Sequence, residues 1–152
     1  MSNLRKINQL KEMLKSDDFD IHSFDSELSS IIAAIGDDIP LELFTLFKNY
    51  PGDDKYERAM WTLLHGIESL RGNAYTQKIV PGLKLVAKNG SEWAELIAIR
   101  NLNSEEYRGL LAVSLKTATQ EDRAIWKSTI QSLISNEPDF ENKAKSVLSS
   151  LN

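Results

Sequence analysis

The chain contains no cysteine and no long apolar run. Without cysteine it has no disulfide, no thiolate metal ligand and no cysteine nucleophile. No apolar stretch approaches the roughly 20 residues that a membrane-spanning helix needs. The beginning of the chain, MSNLRKINQLKEMLK, is charged throughout and lacks the apolar core of a signal peptide. These absences predict a cytoplasmic protein that does not interact with membranes.

Catalytic motifs are also missing. The sequence has no G-x-x-x-x-G-K-S/T, G-x-G-x-x-G or G-x-S-x-G pattern, so neither a phosphate-binding loop nor a nucleophile elbow is predicted. Of its two histidines, His22 lies in an acidic loop, and His65 lies on a helix with Glu68 three residues later, a spacing that could supply two metal ligands from one helix face. A catalytic metal needs at least one further ligand. We therefore predict no enzyme activity, no catalytic residue, no metal site and no cofactor.

The apolar residues that are present follow a helical period. At 152 residues, 41% of them hydrophobic and 26% charged, the chain is expected to fold as one domain over residues 1–152. Strand-like alternation is absent, and the segment from Asp54 to Leu70 shows the helical pattern most clearly. Its apolar residues share one stripe at 100° per residue: Tyr56, Met60, Leu63, Leu64, Ile67 and Leu70. The sequence therefore predicts an all-α fold.

Capping residues and prolines indicate where the helices begin and end. Pro40 is suited to the first turn of a short helix through Phe47, and Pro81 predicts a kink or a division into two short helices. N-caps are predicted at Asp53 or Asp54, Ser91, Ser104 and Thr119. Eight or nine helices with short connections favour stacked antiparallel helical hairpins, a small α-solenoid. No clean internal repeat supports this arrangement, so a closed helical bundle stays open as the alternative.

The charge of the chain is unevenly distributed. Between Asp17 and Glu57 there are eleven acids and two lysines, a local balance of −9, whereas the whole chain carries only −4 and the remainder about +5. Helix capping explains part of this excess. Three aspartate pairs nevertheless recur at intervals of about 16–20 residues: Asp17-Asp18, Asp37-Asp38 and Asp53-Asp54. If successive hairpins stack, these turns are expected to form an acidic ridge that repels nucleic acid and attracts a basic protein.

Trp61 lies off the main apolar stripe of its helix, about 120° away, with His65 and Glu68 beside it. Two interpretations are open. The first is packing against a neighbouring hairpin, because a middle helix of a stack is covered on two sides. The second is an exposed aromatic anchor for a partner, because tryptophan is enriched among interface hot spots.

Arg100 shares a helix face with Trp93, Leu96 and Ile97, a poor environment for an unpaired cation. We expect an acidic partner, with Glu68 the first candidate and the acids at positions 105 and 106 the next. Such a pair would be structural and would fix the register of two helices.

The residues from Met60 to Leu111 carry a family resemblance over about a third of the chain. Trp61-x3-His65-x2-Glu68 is followed by Tyr75, Pro81, Glu-Trp-Ala-Glu at 92–95 and Arg-Asn-Leu-Asn-Ser at 100–104. This pattern resembles all-helical immunity proteins, the small cytoplasmic inhibitors encoded beside polymorphic or contact-dependent growth-inhibition toxins in bacteria. The resemblance implies a HEAT-like helical stack and a cognate protein toxin as partner.

Composition alone predicts an acidic helical binding module, and the resemblance adds the toxin. Together they predict tight stoichiometric binding to a basic toxin, of nuclease type because nucleases bind phosphates. The alternatives are a helical-repeat adaptor for another protein and, less favoured, an enzyme with carboxylate or histidine chemistry. A homodimer is permitted but not required. The predicted partner-binding residues are Asp17, Asp18, Asp20, Asp37, Asp38, Asp53, Asp54, Glu57 and Trp61.

Overall fold

A computed structural model describes residues 3–36, 38–70 and 73–151. Over these residues the chain is helical and has no β-strand, which confirms the all-α prediction. Leu41–Leu46 and Pro138–Phe140 are short 3-10 segments. The α-helices of the described part are α1 (Asn3–Lys15), α2 (Ile21–Ala34), α3 (Asp54–Glu68), α4 (Asn73–Asn89), α5 (Ser91–Leu102), α6 (Glu105–Lys116), α7 (Gln120–Asn136) and α8 (Glu141–Ser149).

Helices α2 and α3 pack side by side and run in the same direction. Phe19, just before α2, stacks on Tyr56 in the first turn of α3. Near the other end, a Cβ on Gly66 of α3 would lie 3.3 Å from Ile32 of α2. The short helix predicted from Pro40 lies between them as the 3-10 segment Leu41–Leu46, and a chain of antiparallel hairpins places every second helix in the same direction. The connection, residues 35–53, packs on α4 and α1 through this 3-10 segment and brings the chain back to the end at which α2 began.

Helix α4 occupies the middle of the molecule. It contacts the 3-10 segment Leu41–Leu46 and helices α5, α6 and α7. Trp126 of α7 is fully buried, and its indole Nε1 donates a hydrogen bond to the carbonyl oxygen of Val80 in α4 at 3.0 Å. In a solenoid each repeat contacts only its neighbours. A central helix of this kind is closer to a bundle, so the HEAT-like stack stays a prediction.

Pro81 does not divide α4, which is one helix from Asn73 to Asn89. The predicted alternative of two short helices is therefore wrong. Ile79, Val80 and Leu83 around the proline are all buried. Because proline removes only one backbone hydrogen bond, packing on both sides of Pro81 keeps the helix together.

Gly82 of α4 lies directly against Phe44 of the 3-10 segment. A Cβ at this position would lie 2.9 Å from Cγ and Cδ2 of the buried Phe44 ring. We expect Gly82→Ala to lower the free energy of unfolding by about 1–2 kcal/mol, because overpacking outweighs the gain in helix propensity. Urea denaturation measures the change.

Gly109 provides the matched control. It also lies inside a helix, α6, but nothing lies within 4 Å of its hypothetical Cβ. Gly109→Ala should therefore raise the free energy of unfolding by about 0.5–1 kcal/mol. If both substitutions stabilise the protein, the Phe44 ring does not pack on α4 as described.

Among the described residues, no helix combines the length and the apolar character needed to cross a bilayer.

Candidate partner-binding surface

Two aspartates cap neighbouring helices at one end of the molecule. Asp20 precedes α2 and accepts a hydrogen bond from the backbone N–H of His22, while the Ser23 hydroxyl donates to its carboxylate at 2.7 Å. The hydrogen bond from Ser23 is the main reason that the pKa of Asp20 is lowered. Asp53 caps α3 by accepting from the N–H of Tyr56. Because α2 and α3 are parallel, both caps lie at the same end.

The Tyr56 side chain attaches the turn before α2 to the start of α3. Its hydroxyl donates a hydrogen bond to the carbonyl oxygen of Ser16 at 3.3 Å. Its ring is stacked between Phe19, at a centroid distance of 4.7 Å, and Tyr50, at 4.6 Å. Residues 16–20 therefore lie directly against the N-terminus of α3, although some 40 positions separate these segments in the sequence.

This arrangement gathers six exposed carboxylates, which we name the acidic end: Asp17, Asp18, Asp20, Asp53, Asp54 and Glu57. Lys55 lies among them, with its Nζ 5.6 Å from the ring centroids of Phe19 and Tyr56. Helix N-termini stabilise negative charge, and two of them meet here. The acidic end is therefore a region of concentrated negative charge that the fold itself supports.

Of the two remaining predicted acids, only Asp38 can be placed. Asp37 lies outside the described residues. Asp38 is exposed, and its Oδ1 lies 2.8 Å from Nζ of Lys78 in α4. Asp38 follows the C-terminus of α2, whose 14 residues extend about 21 Å. The predicted ridge along one edge is therefore corrected for Asp38, because α2 holds it at the opposite end from Asp17 and Asp18.

Trp61 is half-buried, so it has features of both interpretations offered by the sequence. It packs edge-to-face on Trp93 of α5, with ring centroids 5.3 Å apart at 79°, and lies 5.6 Å from the His65 ring. It also lines a small groove of about 150 Å³, which we name the tryptophan groove: Tyr50, Pro51, Glu57, Trp61, Glu92, Trp93 and Leu96. Through Glu57 this groove is continuous with the acidic end.

Tyr50 and Glu92 line this groove but were not among the predicted partner-binding residues. Tyr50 comes from the turn before α3, and Glu92 from the first turn of α5. Burial is the main cause of a raised pKa of the Tyr50 hydroxyl. Such residues meet only because α3 and α5 pack together, and no short-range pattern encodes that contact.

Glu68 and Arg100 form a bidentate ion pair between α3 and α5. Arg100 Nε lies 2.6 Å from Glu68 Oε2, and Arg100 Nη2 lies 2.7 Å from Glu68 Oε1. The Glu68 side chain is 10% exposed and that of Arg100 36% exposed. The hydrogen bonds from the guanidinium to Glu68 raise the pKa of Arg100. Planar two-point pairing of this kind fixes geometry, so the pair is suited to holding two helices in register.

A second partly buried pair joins α4 to α7. Asp122 is 5% exposed, and its Oδ1 lies 3.4 Å from Nζ of Lys84. The hydrogen bond to Asp122 is the main cause of the raised pKa of Lys84. The sequence indicates Asp122 only as a partner of the Thr119 cap, whose hydroxyl accepts from the Asp122 backbone N–H. Both polar pairs are therefore inter-helix contacts.

Metal ligation has no support in the part of the chain that the structure describes, where no group of three His, Cys, Asp or Glu side chains could hold an ion. His22 and His65 are both exposed and lie on different helices. The surface instead carries charged and aromatic side chains, which are common in protein–protein interfaces.

A family model described as immunity protein 30 matches residues 9–111, more than half of the chain. The matched range contains the acidic end, the tryptophan groove and the pair of Glu68 with Arg100. No curated protein and no solved structure matches the chain.

Proposed function

We propose a mechanism of toxin neutralisation from the premise that this chain belongs to the immunity protein 30 family. Membership supports an immunity function against a toxin, and proteins of such a family are not normally enzymes. In this proposal the chain binds its cognate toxin one to one and covers the active site or the substrate-binding face. No catalytic step by the chain itself is involved.

The acidic end is the proposed contact surface, and its gathering of six carboxylates is the observation that carries the proposal. A surface of this charge steers a basic protein toward it and raises the association rate. Nucleases are basic where they hold phosphates. We therefore propose a nuclease-type toxin whose nucleic-acid-binding face meets the acidic end, so that the inhibitor competes with the substrate.

The tryptophan groove supplies the proposed anchor beside those charges. Charge complementarity contributes mostly to rate and specificity, whereas affinity comes from a few desolvated anchors. Trp61 is partly open to a partner and already held by Trp93, so little conformational freedom is lost when it is covered. The proposed site of action is the cytoplasm, where an incoming nuclease meets its substrate.

Charge reversal at the acidic end tests this function. The probe is the C-terminal domain encoded by the gene immediately upstream, and the variant is Asp17→Lys, Asp18→Lys, Asp54→Lys and Glu57→Lys, which leaves both capping aspartates in place. We expect the association rate constant at low salt to fall by about 10-fold or more, and its salt dependence to flatten. Stopped-flow fluorescence at several salt concentrations measures both quantities.

The matched control reverses four exposed acids elsewhere: Glu105, Glu106, Glu137 and Asp139. Both variants change the net charge by the same amount, so a general charge effect would slow them equally. Equal association rates for the two variants would remove the acidic end from the mechanism. No binding of this domain by the unmodified chain would contradict the proposed function itself.

A further inference from the structure

On the other side of Tyr50 and Tyr56 from the acidic end lies a groove of opposite charge. Its volume is about 740 Å³, and α1, the segment before α3, the start of α3 and the end of α4 all contribute to it. We name it the lysine groove, and its lining residues include Lys11, Lys15, Lys48 and Lys88 but no Asp or Glu. This is a local excess of positive charge in a chain whose net charge is −4.

Helix ends explain only part of this charge. Lys15 and Lys88 lie in the last turns of α1 and α4, where cations interact well with free carbonyls. Lys11 and Lys48 have no such role. Within the described residues, Lys11, Lys48 and Lys88 form no ion pair, whereas Lys15 pairs with Glu12 at 3.7 Å.

The floor of the groove is apolar. Leu46 and Phe47 are buried beneath it, and Leu14 and Leu85 are half-buried along it. Tyr50 forms one wall, with Lys48 Nζ 5.5 Å from its ring centroid. A ligand that complements both the lysines and the apolar floor must carry negative charge and apolar side chains.

A protein segment fits these features better than a nucleic acid. Single-stranded nucleic acids are usually bound by aromatic faces open to the bases. Here Tyr56 has both faces covered by Phe19 and Tyr50, and Lys48 lies over Tyr50. The six carboxylates of the acidic end lie just beyond this stack and would repel a phosphate backbone.

We propose that the lysine groove binds an acidic, partly apolar polypeptide segment, and that this segment belongs to the same toxin that contacts the acidic end. The second half of this inference rests on the proposed function. The tyrosines separate the two surfaces, since Tyr50 lines both the lysine groove and the tryptophan groove. A toxin that presents a basic face and an acidic segment side by side would therefore bind in one orientation only.

The direct test does not need the toxin. The probe is a synthetic peptide that alternates glutamate with leucine and phenylalanine, and its binding is followed by amide chemical shifts of the full chain. We expect shifts at Phe47, Lys48 and Tyr50, and an affinity that falls with salt. Lys11→Gln, Lys48→Gln and Lys88→Gln together should weaken this binding by 10-fold or more, whereas the control set Lys116→Gln, Lys127→Gln and Lys145→Gln should not.

Two other probes distinguish the occupants. A peptide with glutamine in place of glutamate should bind at least 10-fold more weakly, and a single-stranded oligonucleotide should not shift the groove residues. If the oligonucleotide binds the groove more tightly than the glutamate peptide, or if the two lysine sets behave alike, the inference is overturned.

With the toxin domain as probe, the groove variant should dissociate at least 10-fold faster than the unmodified chain. If the unmodified chain binds this domain and the groove variant dissociates no faster, the toxin segment does not occupy the groove. If the unmodified chain fails to bind the domain, the proposed function fails and the peptide experiment still decides what the groove binds.

Discussion

The Trp126→Ala substitution is expected to lower the free energy of unfolding by about 3–5 kcal/mol, a large part of what a domain of this size has. Trp126 is fully buried between α7 and the central helix, and its indole N–H donates to the Val80 carbonyl oxygen. Alanine removes both the hydrogen bond and most of the buried volume, because surrounding helices fill such a cavity only partly. Urea denaturation followed by circular dichroism measures the change.

Trp126→Phe separates the two contributions. It keeps most of the apolar volume and removes the donor, so the expected loss is about 1–2 kcal/mol. Trp126 also lies outside the family match over residues 9–111. A loss below about 1 kcal/mol for Trp126→Ala would mean that α7 is not part of the core that holds the acidic end and the tryptophan groove.

The Trp61→Ala substitution is expected to weaken toxin binding by about 2–4 kcal/mol, or roughly 30- to 1000-fold in Kd. The indole is half-buried, packs on Trp93 and lines the tryptophan groove beside Glu57 and Glu92. A partner that covers this groove buries the exposed part of the Trp61 ring. The neighbouring carboxylates then complement the charge of a basic partner. Isothermal titration calorimetry with the toxin domain measures the change.

Val113→Ala is the matched control, because Val113 is the most exposed large hydrophobic residue described, at 66%. It lies on α6, away from the acidic end, so its removal should leave Kd unchanged. The free energy of unfolding of Trp61→Ala should be measured alongside, so that a folding defect is not mistaken for lost affinity. Equal Kd values for Trp61→Ala and the unmodified chain would exclude Trp61 as the anchor.

Local sequence signals predicted the helices well because their causes are local. The caps at Asp53, Ser104 and Thr119 accept the hydrogen bonds expected of them, and these bonds span only three residues. Ser91 is the exception. The residue before α5 is Gly90, whose hypothetical Cβ would meet the backbone of Phe47 and Lys48 at 3.2 Å, and the Ser91 hydroxyl accepts instead from Asn49.

Contacts between residues distant in the sequence were predicted only where a side chain required a partner of opposite charge. Arg100 on an apolar helix face required an acid, and the structure places Glu68 against it. Nothing comparable indicated that Phe19, Tyr56 and Tyr50 stack together, because no short-range pattern connects their three segments. The lysine groove was missed for the same reason. Its cations come from three separate segments, and the sequence showed only a positive balance outside residues 17–57.

The capping geometry divides the six acids into two classes with different freedom to change. Asp20 and Asp53 complete the first turns of α2 and α3, so their replacement is expected to disturb folding as well as the proposed recognition. Asp17, Asp18, Asp54 and Glu57 make no capping hydrogen bond in the described structure. If the acidic end contacts the toxin as proposed, a lineage facing an altered toxin can change these four positions at little cost to the scaffold, while the two caps keep the surface negative.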